Sequence, residues 1–149
     1  MKQFRFKLSP VLKLRQYRER LAQQETARAQ RDVKNSARRI DQLGRERRDQ
    51  ARAMEQVVRD GIPAPLFNQY YQYLSAVEHD ILLEAQKKKG LEQVLVEKLE
   101  ELRKKSVDKK AMELYREKRK EQYLQEISLA EQKELDEVSI LKTARKKAQ

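Results

Sequence analysis

The sequence predicts an all-α protein: two long helices forming an antiparallel coiled-coil hairpin, with the second helix extending beyond the first. Three observations carry this expectation. Of the 149 residues, 40% are charged and 38% hydrophobic, and only three are Gly. That is too little apolar material for a wide globular core, whereas the abundance of Ala, Glu, Lys, Leu, Arg and Gln favours long helices. Residues that helices reject cluster in one stretch, Gly61-Ile-Pro-Ala-Pro65. On both sides of it, apolar positions recur at spacings of three and four. The whole chain, 1–149, reads as one elongated domain, with helix one at about 9–60, a turn at about 61–65 and helix two at about 66–147.

Helix one is expected to start at Ser9-Pro10, an N-cap followed by a first-turn proline. Ahead of it, Phe4, Phe6 and Leu8 alternate with basic residues. Its apolar stripe runs through Val11, Leu14, Leu21, Ala29, Val33, Ile40, Leu43, Ala51, Met54 and Val58. The stripe is narrow, because Arg18, Glu25 and Arg47 fall in phase with it and the steps around Glu25, Ala29 and Val33 break a strict heptad. Gly44 weakens the middle by about 1 kcal/mol relative to alanine.

Pro63 and Pro65 end helix one and aim helix two, since proline lacks the N–H and clashes with the preceding turn. Gly61 stands where a left-handed C-cap is expected. Helix two then opens with an aromatic collar, Phe67, Tyr70, Tyr71 and Tyr73, four of the nine aromatic residues in the chain. Phe67, Tyr70, Leu74, Val77 and Ile81 share one face, followed by Ala85, Leu91, Leu95, Leu99 and Leu102. Beyond that the face turns polar through Lys105, Lys109, Arg116 and Arg119, and Tyr123, Ile127, Ala130, Leu141 and Ala144 restore part of it. Folding helix two back pairs residue i with about 126 minus i. Helix one then runs out near residue 117, and about thirty residues project.

The net charge of +11 is uneven. Residues 1–62 carry 17 basic and 8 acidic groups, and residues 63–149 carry 18 and 16. The excess lies on helix one, mostly as Arg, whose planar fork suits carboxylates and phosphates. An acidic protein surface or a nucleic acid is therefore the partner class. The nucleic-acid reading is weaker, because Asp32, Asp41, Glu46 and Asp49 interrupt the arginines and the heptads are irregular. A self-assembling coiled coil would need a stronger seam.

Several classes are excluded. There is no Cys and a single His, which rules out disulfides and thiolate metal sites and makes a zinc site improbable. Carboxylates are scattered along helical surfaces, no Gly-rich phosphate loop is present, and no nucleophile has a base beside it, so no enzyme, cofactor or small molecule is expected. His79 falls opposite the apolar face of helix two, as a solvated residue. No run approaches the roughly 18 to 20 apolar residues of a membrane span, and no signal peptide is visible, so a cytoplasmic location is expected. Tyr71 and Tyr73 lie on the flanks of the helix-two face, and Tyr73 with Val77, four residues on, forms an edge stripe suited to a partner.

Phe6-Lys-Leu-Ser-Pro-Val-Leu-Lys-Leu-Arg15, a helix of about fifty residues, and Tyr70-Tyr-Gln-Tyr-Leu-Ser-Ala-Val-Glu78 after the turn resemble the flagellar FliJ family, over nearly the whole chain. The resemblance implies a two-helix antiparallel coiled coil similar to the central gamma subunit of rotary ATP synthases. It implies a non-enzymatic stalk of the flagellar type III protein export apparatus, one copy per ring of the export ATPase hexamer, connecting that ring to the cytoplasmic domain of the FlhA export gate and assisting export chaperones. Its location would be the cytoplasmic side of the inner membrane at the flagellar base. The family's gate contact corresponds to Tyr73 and Val77 here, with Tyr71 beside them. The basic helix, with Arg38, Arg39, Arg47 and Arg48, would face the ATPase ring.

Overall fold

A computed structural model describes residues 2–149. Two helices account for most of them, α1 (Ser9–Asp60) and α2 (Ala64–Lys147), packed antiparallel on one another; among the described residues there is no strand. The antiparallel register is visible in individual contacts: Arg15 meets Asp108, Thr26 meets Lys98, Ser36 meets Glu84 and Glu46 meets Tyr73. These pairings follow the register expected from the sequence.

The helix ends differ slightly from expectation, for local reasons. The Leu8 carbonyl accepts the first helical bond, from the Leu12 N–H at 3.0 Å, so Ser9 lies inside the first turn and its own N–H donates to the Phe6 carbonyl at 3.1 Å. At the turn, Gly61 has φ +83°, and its N–H donates to the Val58 carbonyl at 3.2 Å. That left-handed geometry is the expected glycine cap. Helix α2 starts at Ala64, two residues ahead of the expected position, because the Pro63 carbonyl already accepts from the Leu66 and Phe67 N–H groups at 3.1 and 3.3 Å. Pro65 sits in the first turn, where its missing N–H would have had no partner.

The seam of α1 corrects the expected stripe. Its buried and half-buried positions run through Leu12, Glu19, Ala22, Thr26, Ala29, Val33, Ser36, Ile40 and Leu43, then Gln50, Met54 and Val57, with Ser9, Arg15, Gln16, Ala37 and Gly44 half-buried beside them. From Glu19 to Leu43 the steps alternate three and four without a break, so a heptad does run through this region. Arg18, Glu25 and Arg47, expected in phase with the stripe, are all exposed, as are Leu14 and Leu21. The seam favours small residues over large ones. Thr26 stays buried by donating its hydroxyl to the Ala22 carbonyl at 2.8 Å and approaching the Lys98 carbonyl at 3.2 Å. Ser36 donates to Glu84 Oε1 at 2.9 Å. Among the described residues no buried side-chain polar atom lacks a partner.

Along α2 the matching positions are Tyr70, Leu74, Val77, Ile81, Glu84, Lys88, Leu91, Leu95, Lys98, Leu102, Lys105 and Lys109, again in alternating steps. Lysine stems cover the apolar surface while their ammonium groups reach carboxylates at the edge. Lys98 Nζ lies 3.2 Å from Glu25, and Lys109 Nζ lies 2.9 Å from Glu19. Leu99, expected on the seam, is displaced to the surface by Lys98.

The chain divides into two units. Arg20–Arg103 form one, containing the turn; the residues up to Glu19 together with Lys104–Gln149 form the other. In the second of these, the segment ahead of α1 is not helical, and it lies along α2: Phe4 stacks on Tyr123 with ring centroids 5.5 Å apart, and Phe6 on Tyr115 at 6.0 Å. Tyr123 donates its hydroxyl to the Lys2 carbonyl. This arm carries contacts to Tyr123, past the point near residue 117 where pairing was expected to stop. Every residue of α2 after Ile127 is exposed, a shorter free stretch than the thirty residues expected.

Candidate functional site around the turn

The aromatic collar lies in the unit that contains the turn, where the glycine cap and Pro63 set α2 against the last turns of α1. Leu66, Gln69, Tyr70 and Tyr73 of α2 and Gln50 of α1 line an open groove of about 440 Å³. Tyr70 is half-buried on the seam, whereas Tyr73 stands at the groove's edge, 40% exposed. Tyr73 is held there by α1, because its hydroxyl donates to Glu46 Oε1. That hydrogen bond, helped by partial burial and by the Glu46 charge, raises the Tyr73 pKa above its ordinary 10.0. Tyr71 projects from the other flank of α2, 61% exposed.

Val77 is placed differently from the expected edge stripe. At 5% exposure it is the one buried residue of α2, part of the core beneath the collar. The spacing of four from Tyr73 could be read from sequence, but not which side of Val77 faces α1. The exposed aromatic side chains of the collar are therefore Tyr71, Tyr73 and Phe67, the last expected on the seam, with Val77 supporting the helix under them.

The four arginines expected to face an acidic partner occupy the same unit as the collar. Arg47 Nη2 lies 2.9 Å from Glu78 Oε1, an exposed ion pair one turn along α2 from the collar. Arg39 lines a groove of about 550 Å³ with Asp32, Asn35, Ser36, Glu84, Lys87 and Leu91. Arg38 and Arg48 are exposed. The Tyr73–Glu46 and Arg47–Glu78 contacts use consecutive residues of α1, so the two candidate surfaces adjoin. Glu46 and Glu78 are the functional-site residues that sequence reasoning missed. Their signal was weak: in a chain with 24 acidic residues, only the helix register singles them out.

Among the described residues no group of three His, Cys, Asp or Glu could hold a metal ion, and no helix is long and apolar enough to cross a membrane. His79 is exposed. Two long helices packed antiparallel, with an aromatic collar beside their turn, define the class: an all-α coiled-coil hairpin. The profile of the family described as flagellar FliJ protein matches residues 4–148, and the chain belongs to that family, a family of components of the type III export apparatus. In structure it is similar to a YscO homolog, CT670, from Chlamydia trachomatis, with a TM-score of 0.58 and 19% identity over 99% of this chain and 100% of the other. No curated protein matches it in sequence.

Proposed function

We propose that this FliJ-family chain couples the flagellar export ATPase to the export gate, with the collar as its gate-facing surface. Tyr71 and Tyr73 contact the cytoplasmic domain of FlhA, and Val77 holds the helix rigid beneath them. The observation that carries this is the exposure of Tyr73 at the edge of an open groove, with Tyr71 exposed on the other flank of the same helix. Tyrosines in such a position give apolar area at low entropic cost, with a polar tip. Arg38, Arg39 and Arg48, with Arg47 beside its Glu78 partner, offer a basic face to the ATPase hexamer, with one copy of the chain per ring. Export chaperones are handled by the same apparatus, at the cytoplasmic face of the inner membrane.

The test compares two double variants of the full chain for affinity toward the purified FlhA cytoplasmic domain and for thermal melting. Tyr71→Ala with Tyr73→Ala is expected to weaken gate binding by about a thousandfold, at about 2 kcal/mol per anchor residue, and to leave the melt nearly unchanged. Tyr70→Ala with Leu74→Ala is expected to lower the melting temperature first. Equal gate affinity for wild type and the exposed pair would sink the assignment. In parallel, replacing Arg38, Arg39, Arg47 and Arg48 by Gln is expected to weaken ATPase binding and flatten its salt dependence, since exposed charges are screened over about 8 to 10 Å.

A further inference from the structure

We propose that the groove between the N-terminal arm and α2 binds an acidic peptide segment of a protein partner. This goes beyond the collar reading and uses none of its residues. The groove, of about 270 Å³, is lined by Phe4, Arg5, Phe6, Lys7, Leu8, Tyr115 and Arg119. Three of these seven are cations and none is an acid. Arg119 has only a hydrogen bond from Nη1 to Gln122 Oε1 at 3.2 Å, and among the described residues Arg5, Lys7 and Arg119 form no ion pair. By contrast, Lys98 and Lys109 on the seam are matched by Glu25 and Glu19.

Three like charges around one concavity repel one another, and the arm stays in place through the Phe4–Tyr123 and Phe6–Tyr115 ring contacts and the Tyr123 hydrogen bond to Lys2. A carboxylate entering the groove relieves that repulsion and receives forked hydrogen bonds from Arg5 or Arg119. The aromatic wall of Phe6 and Tyr115 takes a neighbouring apolar side chain. The charge pattern selects a peptide over a nucleic acid. A phosphate backbone runs along an extended basic track, whereas here three cations surround one concavity of about 270 Å³ with an aromatic wall.

The experiment titrates the full chain with a fluorescein-labelled Glu-Glu-Phe-Glu-Glu peptide, followed by anisotropy near physiological salt. The peptide binds wild type and its Gln-Gln-Phe-Gln-Gln counterpart does not. Arg5→Gln with Lys7→Gln, and separately Arg119→Gln, weaken binding about tenfold or more, as expected for lost charge-assisted hydrogen bonds. Lys133→Gln with Lys142→Gln removes the same charge at exposed positions outside the groove and changes affinity less than about twofold. Phe4→Ala with Phe6→Ala keeps every charge but releases the arm, and it also loses the peptide. Circular dichroism verifies that both helices persist in each variant, since the arm is outside them. The proposal is overturned if wild type does not bind the peptide, if the control pair loses as much as the groove pair, if the released arm binds like wild type, or if a thymidine oligonucleotide of matched charge binds more tightly in the same groove.

Discussion

Tyr73 donates its phenolic hydroxyl to Glu46, tying the first aromatic turn of α2 to α1 and fixing how the exposed ring is presented. The bond needs the proton. Its physical consequence is a pH dependence opposite to that of an ordinary carboxylate contact.

Because Glu46 favours the neutral phenol, the Tyr73 pKa is raised in the folded chain. A raised folded-state value contributes stability that is fully present below the ordinary tyrosine pKa of about 10 and is lost as pH rises through the folded value. Lys98 and Lys109 act in the same direction, raised chiefly by hydrogen bonds to Glu25 and Glu19. Ultraviolet titration is expected to show Tyr73 as a late-ionising group. Tyr73→Phe removes it and Glu46→Gln brings it back to the ordinary range. If the late group survives Tyr73→Phe, it belongs elsewhere.

Leucines on the seam and leucines beside it should separate cleanly. Leu12 and Leu43 are buried, whereas Leu14 and Leu21 are exposed. Leu43→Ala is expected to cost about 2 to 3 kcal/mol, the lower part of the range for buried leucines because the seam is thin, and Leu21→Ala under about 1 kcal/mol. Urea unfolding followed by circular dichroism measures both. Equal losses would mean that the heptad assignment is wrong.

The glycines give a matched pair of opposite sign. A Cβ on Gly44 would meet nothing within 4 Å, in a helix with ordinary φ. Gly44→Ala is therefore expected to stabilise the protein by about 0.5 to 1 kcal/mol. Gly61 also has open space, but its φ of +83° strains any other residue, so Gly61→Ala is expected to destabilise by about 1 kcal/mol. A chemical melt of each variant checks the signs.

Truncating the chain after Ser128 removes only exposed residues. The melting temperature of the paired helices should stay within a few degrees of wild type, while total helical signal falls with the lost length. A large drop in melting temperature would show that the exposed end of α2 is bound to something within the fold.

The turn was the most legible part of the chain, because proline and positive-φ glycine act through local sterics that no tertiary contact overrides. The register was legible too, since it follows from the turn's position. The α1 seam was legible in part: Ala29, Val33, Ile40, Leu43 and Met54 stand where the pattern placed them. Elsewhere the reading followed Leu14 and Leu21, whereas packing at close quarters selected Ala22, Thr26 and Ser36, whose small side chains and locally bonded hydroxyls carry little hydropathy signal. Val77 failed for a related reason: on a narrow helix, residues four apart can belong to edge or core, and only the partner helix decides. The arm's attachment was invisible, because Phe4 and Phe6 find Tyr123 and Tyr115 across more than a hundred residues of sequence.

That separation sets an order of assembly. Tyr73 and Glu46 are 27 residues apart in the chain, Ser36 and Glu84 are 48, Thr26 and Lys98 are 72, and Tyr123 and Lys2 are 121. Once the turn has formed, each pairing shortens the loop left for the next, so the two strands of the hairpin close like a zipper from the turn outward instead of meeting at random. Lys2, Phe4 and Phe6 thus precede their partners by more than a hundred residues of chain and are the last to find them. During translation the arm waits, with Phe4 and Phe6 uncovered, until Tyr115 and Tyr123 emerge.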